Sequence, residues 1–138
     1  MAASGAASFD TTLIGNSVWL DGSADGFTKA ASGFDAEDGK EFTLGTWFQL
    51  TEFGVTGALF CAGNGSGVYT SLRHDGDNKI YFQTEAGSHI LSTTAVFRDI
   101  GWYHILVSVD TTQVANTNRV RMFINGVETS LTGTYPAL

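Results

Sequence analysis

The chain has 138 residues, 43% of them hydrophobic and 12% aromatic, with only 15% charged and a formal charge of −7. A single domain of this size buries roughly two-thirds of the surface that its unfolded chain exposes, so one core suffices without disulfides or metals. The acidic balance leaves no basic stripe to neutralise phosphates, which argues against a nucleic-acid partner and an anionic membrane surface.

Small residues fill positions 1–8, and this stretch is expected to be a flexible N-terminal arm ahead of a domain spanning 9–138. It lacks the basic start and apolar run of a secretory signal, and no later stretch approaches the roughly 18 apolar residues of a membrane-crossing helix. Asn16-Ser-Val-Trp-Leu20 reads as a short strand closed by Asp21-Gly22, with Phe27 on its return partner beyond a turn at Asp25-Gly26. Residues 30–40 mix glycine, serine and charge without periodicity and read as a loop.

The clearest strand follows. Phe42, Leu44, Thr46, Phe48 and Leu50 share one face, while Thr43, Gly45, Trp47 and Gln49 share the other. Residues 55–62 give another strand, and the glycine-rich 63–67 a turn. Strands at 68–73 and 79–83 flank His74-Asp-Gly-Asp-Asn78, a hairpin by its chemistry. A short strand at 89–92 precedes residues 101–110, where Tyr103, Ile105, Val107 and Val109 alternate with Trp102, His104, Leu106 and Ser108. That pattern predicts a central strand with one buried face. Val120, Met122 and Ile124 then point inward, and Asn125-Gly126 turns the chain into a return strand over 127–131.

Eight to ten short strands, turn chemistry between them and no convincing helix predict an all-β fold, an antiparallel sandwich or barrel. Seventeen glycines and one proline suit many tight turns. The single cysteine, Cys61, forbids an internal disulfide and reads as a small buried hydrophobe among Ala58, Leu59, Phe60 and Ala62.

Taken together, Phe42-Thr-Leu-Gly-Thr-Trp-Phe-Gln49, Trp102-Tyr-His-Ile-Leu-Val107 and Arg119-Val-Arg-Met-Phe-Ile-Asn-Gly-Val127 resemble the concanavalin A-like lectin/glucanase superfamily, and within it the laminin G-like modules. Asn16-Ser-Val-Trp-Leu-Asp-Gly22 resembles the first strand of such modules, and the likeness covers roughly residues 16–136. It implies an antiparallel two-sheet β-sandwich of jelly-roll type. The spelling of Ala95-Val-Phe-Arg-Asp99, Trp102-Tyr-His104 and Val109-Asp-Thr-Thr-Gln113 resembles the version found in bacteriophage tail and virion proteins. Such modules usually run on through further strands, so the sandwich is expected to lack its last strands or to borrow them from another subunit.

Some superfamily members hydrolyse glycans with two carboxylates on one strand face. Glu52, Glu85 and Glu128 are isolated, and Glu37 and Asp38 are adjacent and point apart, so no enzyme activity is expected. The resemblance implies calcium at the sandwich rim, for which Asp75, Asp77 and Asn78 are the best oxygen set; the same residues also spell a plain hairpin turn. For sugar binding, Asn64, Tyr69 and Tyr81, with Trp47, are the candidate contacts. His74, His89 and His104 are scattered, and His104 reads as a hydrogen-bonded structural histidine.

Two functions follow as expectations. The first is a non-catalytic structural component of a bacteriophage particle, a decoration or tail-associated protein on the virion surface that binds other virion proteins or copies of itself as a homo-oligomer. The second is a carbohydrate-binding module that attaches to a glycan surface.

Overall fold

The computed structural model describes residues 40–63, 69–84 and 88–137, without the Tyr69 side chain, together with the backbone of four short strands nearer the N-terminus. It divides into two compact units, residues 1–36 and 37–138. In the first, β1 (Ala2–Ser4) pairs antiparallel with β4 (Gly26–Thr28), and β2 (Ser8–Asp10) pairs antiparallel with β3 (Ser17–Trp19). Phe27 therefore lies opposite Ala3 and not on a return partner of residues 17–19, as the sequence suggested. Alanine and serine at 2–10 carry no alternation of large side chains, so nothing in the pattern marks them as ladder partners. The rest of the expected arm, the expected loop at 30–40 but for Lys40, and the expected turn at 63–67 but for Gly63, which ends β6, lie outside the described residues.

The second unit is a sandwich of two antiparallel sheets. β5 (Glu41–Leu50), β10 (Gly101–Asp110), β11 (Val120–Ile124) and β12 (Val127–Thr129) form one sheet in the order β12-β11-β10-β5. The other contains β6 (Gly57–Gly63), β7 (Tyr69–His74), β8 (Ile80–Thr84), β9 (His89–Thr93) and β13 (Leu131–Gly133), in the order β13-β9-β8-β7-β6. Among the described residues the only helical element is a single 3-10 turn at Asn116–Asn118, and no helix is long and apolar enough to cross a membrane.

Alternation decides which side chains meet between the sheets. From the four-stranded sheet come Leu50, Ile105, Val107, Val109, Val120 and Met122, and from the other Leu72, Ile80, Phe82 and Leu91, all buried in one cluster. At one end Phe48, Phe97, Tyr103 and His74 pack as a ring cluster, with Phe97 edge-on to Tyr103 at 4.4 Å. His74, only 3% exposed, faces the Val55 carbonyl at 3.0 Å through Nδ1. An acceptor there requires a proton on Nδ1, and the buried Nε2 has no hydrogen-bond partner.

Two details depart from the sequence expectation. The return strand expected over 127–131 is split: β12 ends at Thr129, and Leu131 pairs with Thr93 in the opposite sheet. The crossing falls at Ser130, whose carbonyl accepts the Thr94 N–H at 3.0 Å, so the backbone stays satisfied as the chain changes sheets. Cys61 is exposed, not buried. A register irregularity between Ala58 and Phe60 lets Leu59 and Phe60 both pack on the core and sends Cys61 outward on an edge strand.

Arg119 holds the far end together. It is 8% exposed, and its guanidinium donates to the carbonyls of Gln113 (2.9 Å), Pro136 (2.8 Å) and Val114 (3.3 Å). Replacing it by methionine keeps the stem and strips three carbonyls of a charged donor. Arg119→Met is expected to lower the unfolding free energy by roughly 2–4 kcal/mol, measured by urea denaturation. Gly133→Ala is expected to loosen the β13–β9 pair, because Gly133 has φ +130 and an added Cβ would sit 2.0 Å from the Ile90 carbonyl oxygen.

Candidate functional site

The core-facing register of β5 and β10 leaves their other face to solvent. Trp47 lies directly opposite His104, Gln49 opposite Trp102, Gly45 opposite Leu106 and Thr43 opposite Ser108. Across the next ladder Leu106 faces Phe123 and Ser108 faces Arg121. The outer face of this sheet thus gathers two tryptophans, a histidine and a phenylalanine on three neighbouring strands. Trp47 is 65% exposed and Trp102 43%. The Trp47 indole rests against the His104 ring, centroids 5.0 Å apart at 43°.

The borders of this platform are polar. Arg121 lies over the Phe123 ring at 5.4 Å and grips Glu128 through two hydrogen bonds of 2.8 and 2.6 Å. This pairing holds the Glu128 carboxyl below the usual carboxylate range and raises Arg121. Asn125, in left-handed backbone at φ 51, and Gly126 at φ 80 close the β11–β12 turn. The Asn125 side chain accepts the His104 N–H at 2.8 Å while its own N–H reaches the His104 carbonyl. That turn pins the strand beneath His104. Instead of being held in the buried run, His104 is a solvent-side ring set against Trp47.

On β5, two residues before Trp47 and on the same outer face, stands Gly45. Its backbone is not left-handed, and a Cβ would meet only His104 Nε2 at 3.8 Å and Leu106 Cδ1 at 4.0 Å, ordinary contacts. Neither backbone nor packing demands glycine here, although glycine weakens a strand interior. Such a residue marks a place where a ligand or another backbone comes close.

The sequence candidates collect elsewhere, on the β7–β8 hairpin. Tyr81 donates its hydroxyl to Asp77 at 2.9 Å and carries the Arg73 guanidinium over its ring at 4.9 Å. Asp75 accepts from Thr56 (2.8 Å), the Gly76 N–H (2.8 Å) and Arg73 (2.9 Å). Asp77 also meets the Lys79 ammonium at 3.6 Å, and Asn78 Oδ1 accepts the Gly54 N–H at 2.7 Å. Tyr81, Asp75, Asp77 and Asn78 therefore come together in one turn, where each polar group engages a neighbour. A cation there competes with Arg73, Lys79 and Tyr81 for the same oxygens. Among the described residues no group of three or more acidic, histidine or cysteine side chains is placed to hold a metal. Tyr69 opens β7 opposite Gly63. Its side chain, and Asn64 as a whole, lie outside the described residues.

A family model of laminin G type, described as the Concanavalin A-like lectin/glucanases superfamily, matches residues 21–137. The chain belongs to the concanavalin A-like superfamily. Neither a curated protein nor a solved structure matches it significantly. In this concanavalin A-like sandwich Asp75, Asp110 and Glu128 are each tied to donors, whereas Trp47 and Trp102 stand exposed on the outer face of the four-stranded sheet. The fold and its open aromatic face are those of a binding module.

Of the platform, only Trp47 stood among the sequence candidates. Trp102, His104, Leu106 and Gly45 were legible as residues on the non-core sides of two strands. Their meeting depends on the pairing of β5 with β10, which no local pattern specifies.

Acid should loosen the β7–β8 hairpin. Hydrogen bonds from Thr56, then Arg73 and Gly76, hold the Asp75 carboxyl below its ordinary range, and Asp110 is lowered by Thr112 and Gln113. A depressed folded value adds stability above the unfolded carboxylate range and loses it as pH falls through the folded value. The contribution of these two carboxylates is expected to be fully present at pH 7 and to be lost below about pH 4. Asp75→Asn should be less stable at pH 7 and show a shallower acid decline, read by thermal melts across that range.

Proposed function

We propose that this domain is a non-catalytic carbohydrate-binding module that lays an uncharged glycan across the outer face of the four-stranded sheet. The observation that carries this reading is the pair of exposed tryptophans, Trp47 and Trp102, on adjacent strands of an otherwise regular sheet. Flat indole faces match the apolar faces of pyranose rings, and Gln49, Thr43, Ser108 and Arg121 supply hydrogen-bonding groups around them. The charge of −7 disfavours polyanionic glycans.

The test is a glycan array followed by calorimetry on whichever neutral oligosaccharide binds. Trp47→Ala and Trp102→Ala are each expected to weaken binding about tenfold, which corresponds to ~1.4 kcal/mol, with unchanged circular dichroism. Tyr81→Phe, in the opposite sheet, is expected to bind as the parent does. Calcium dependence of the binding would give the Asp75–Asp77 turn a direct part. An array blank with and without calcium, or tryptophan variants of undiminished affinity, sinks the reading.

A structural role in a bacteriophage particle is the second reading, supported by the phage-type spelling around Ala95, Trp102 and Val109 and by an exposed aromatic face able to take a protein partner. Labelling of particles by antibodies against this chain tests it. Unlabelled particles would remove it.

A further inference from the structure

We propose that two copies of this chain pair through the free edge of β5, antiparallel about a two-fold axis at Thr46, and so join their four-stranded sheets into one. The proposal rests on the backbone of β5 and is independent of the glycan reading.

A sheet edge exposes a row of unpaired N–H and C=O groups, and proteins blunt such edges with short strands, bulges, lysine or proline. Of the four edges of the two larger sheets, three are blunted. β12 and β13 are three residues long, the latter ending at left-handed Gly133, and β6 carries the irregularity between Ala58 and Phe60. β5 is different. It runs ten residues in unbroken register with β10, its only ladder partner among the described residues, and it contains no lysine, arginine or proline.

The direction of its polar groups follows from one hydrogen bond. Thr111 N–H donates to the Lys40 carbonyl at 2.8 Å, which makes these two a hydrogen-bonded pair at the mouth of the β5–β10 ladder. Counting by twos, the backbone groups of Phe42, Leu44, Thr46, Phe48 and Leu50 face β10. Those of Glu41, Thr43, Gly45, Trp47 and Gln49 face the free edge. The Trp47 carbonyl accepts the hydroxyl of its own neighbour Thr46 at 3.3 Å.

Antiparallel self-pairing must match this parity and keep core side chains on the core side. An axis through Thr46 does both. It sets Gly45 against Trp47 of the second copy and Thr43 against Gln49, each pair exchanging two hydrogen bonds. On the inner side it sets Leu44 against Phe48 and Phe42 against Leu50, covering edge residues that are only partly buried, such as Phe42 at 36% exposure. Glu41, the strand's one charged residue, falls opposite Thr51, so no like charges meet. The glycine also gains a reason: a cross-strand aromatic covers a glycine well, and the Trp47 indole of the second copy would lie over Gly45. Moving the axis to Gly45 or Trp47 breaks that match and opposes Thr46 to Leu44 or Phe48.

Sedimentation of the full chain across the micromolar range is expected to show reversible dimers. Thr43→Pro removes an edge-facing N–H and leaves the β10 ladder intact, so it should be monomeric with unchanged circular dichroism. In a Cys61→Ser background, Thr46→Cys should form a disulfide-linked dimer on mild oxidation, since paired residues at the axis lie about 4.5 Å apart at Cα. Leu44→Cys in the same background should not. A wild type that stays monomeric throughout, or Leu44→Cys linking as readily as Thr46→Cys, overturns the proposal. Trp102→Ala should leave dimerisation unchanged, which separates failure here from failure of the glycan reading.

Discussion

The ladder between β5 and β10 is the constraint on which the rest of this sandwich depends. Its ten residue pairs bring Leu44, Thr46, Phe48 and Leu50 onto the inner face with Ile105, Val107 and Val109. The same register brings Trp47 beside His104 and leaves Trp102 exposed one step along. Because strand side chains alternate with period two, a slip of one residue would turn the core outward and bury the tryptophans. Core and aromatic face are therefore two sides of a single choice of register, and stability of the first secures the geometry of the second.

Polar groups in this domain serve mainly to hold irregular backbone. Arg119 gathers three carbonyls from the 113–114 loop and the residue after Tyr135, a place where no ladder satisfies them. Asp75 with Arg73, and Asp77 with Tyr81, close the β7–β8 hairpin on itself, and Asn78 ties it to the Gly54 N–H. Asn125 does the same beneath His104 with one side-chain and one backbone bond. Two large exposed aromatic side chains, Trp47 and Trp102, lie instead on the outer face of one sheet.

Holding a glycan and cleaving one ask for different groups. Catalysis of glycan cleavage asks for two carboxylates poised about a bond, with room for water or attack. Glu128 instead is gripped by Arg121, and Asp75 by Arg73 and Thr56. Stacking on a flat aromatic platform asks only for exposed rings held at fixed spacing, which a rigid sheet provides without loops or metals. An open cleft of about 610 Å³ is lined by Val96, Phe97, Tyr103, Ile124 and Val127 together with Arg98, Asp99 and Glu128.

Much of this was legible in the residues themselves. Alternation in 42–50, 101–110 and 120–124 named the inward side chains, and Asn125-Gly126 and the Asp75–Asn78 stretch named the turns, because period and turn chemistry are local properties. Local pattern failed where the backbone changes phase: at the β6 irregularity that exposes Cys61, and at Ser130, where one expected strand divides between two sheets. It also could not say which strand lies beside which. Trp47 and Trp102 stand 55 positions apart in the chain, and only the tertiary pairing of their strands makes them one surface. Strand partners are chosen by the burial of a shared core, a long-range energy that leaves no mark on either segment alone.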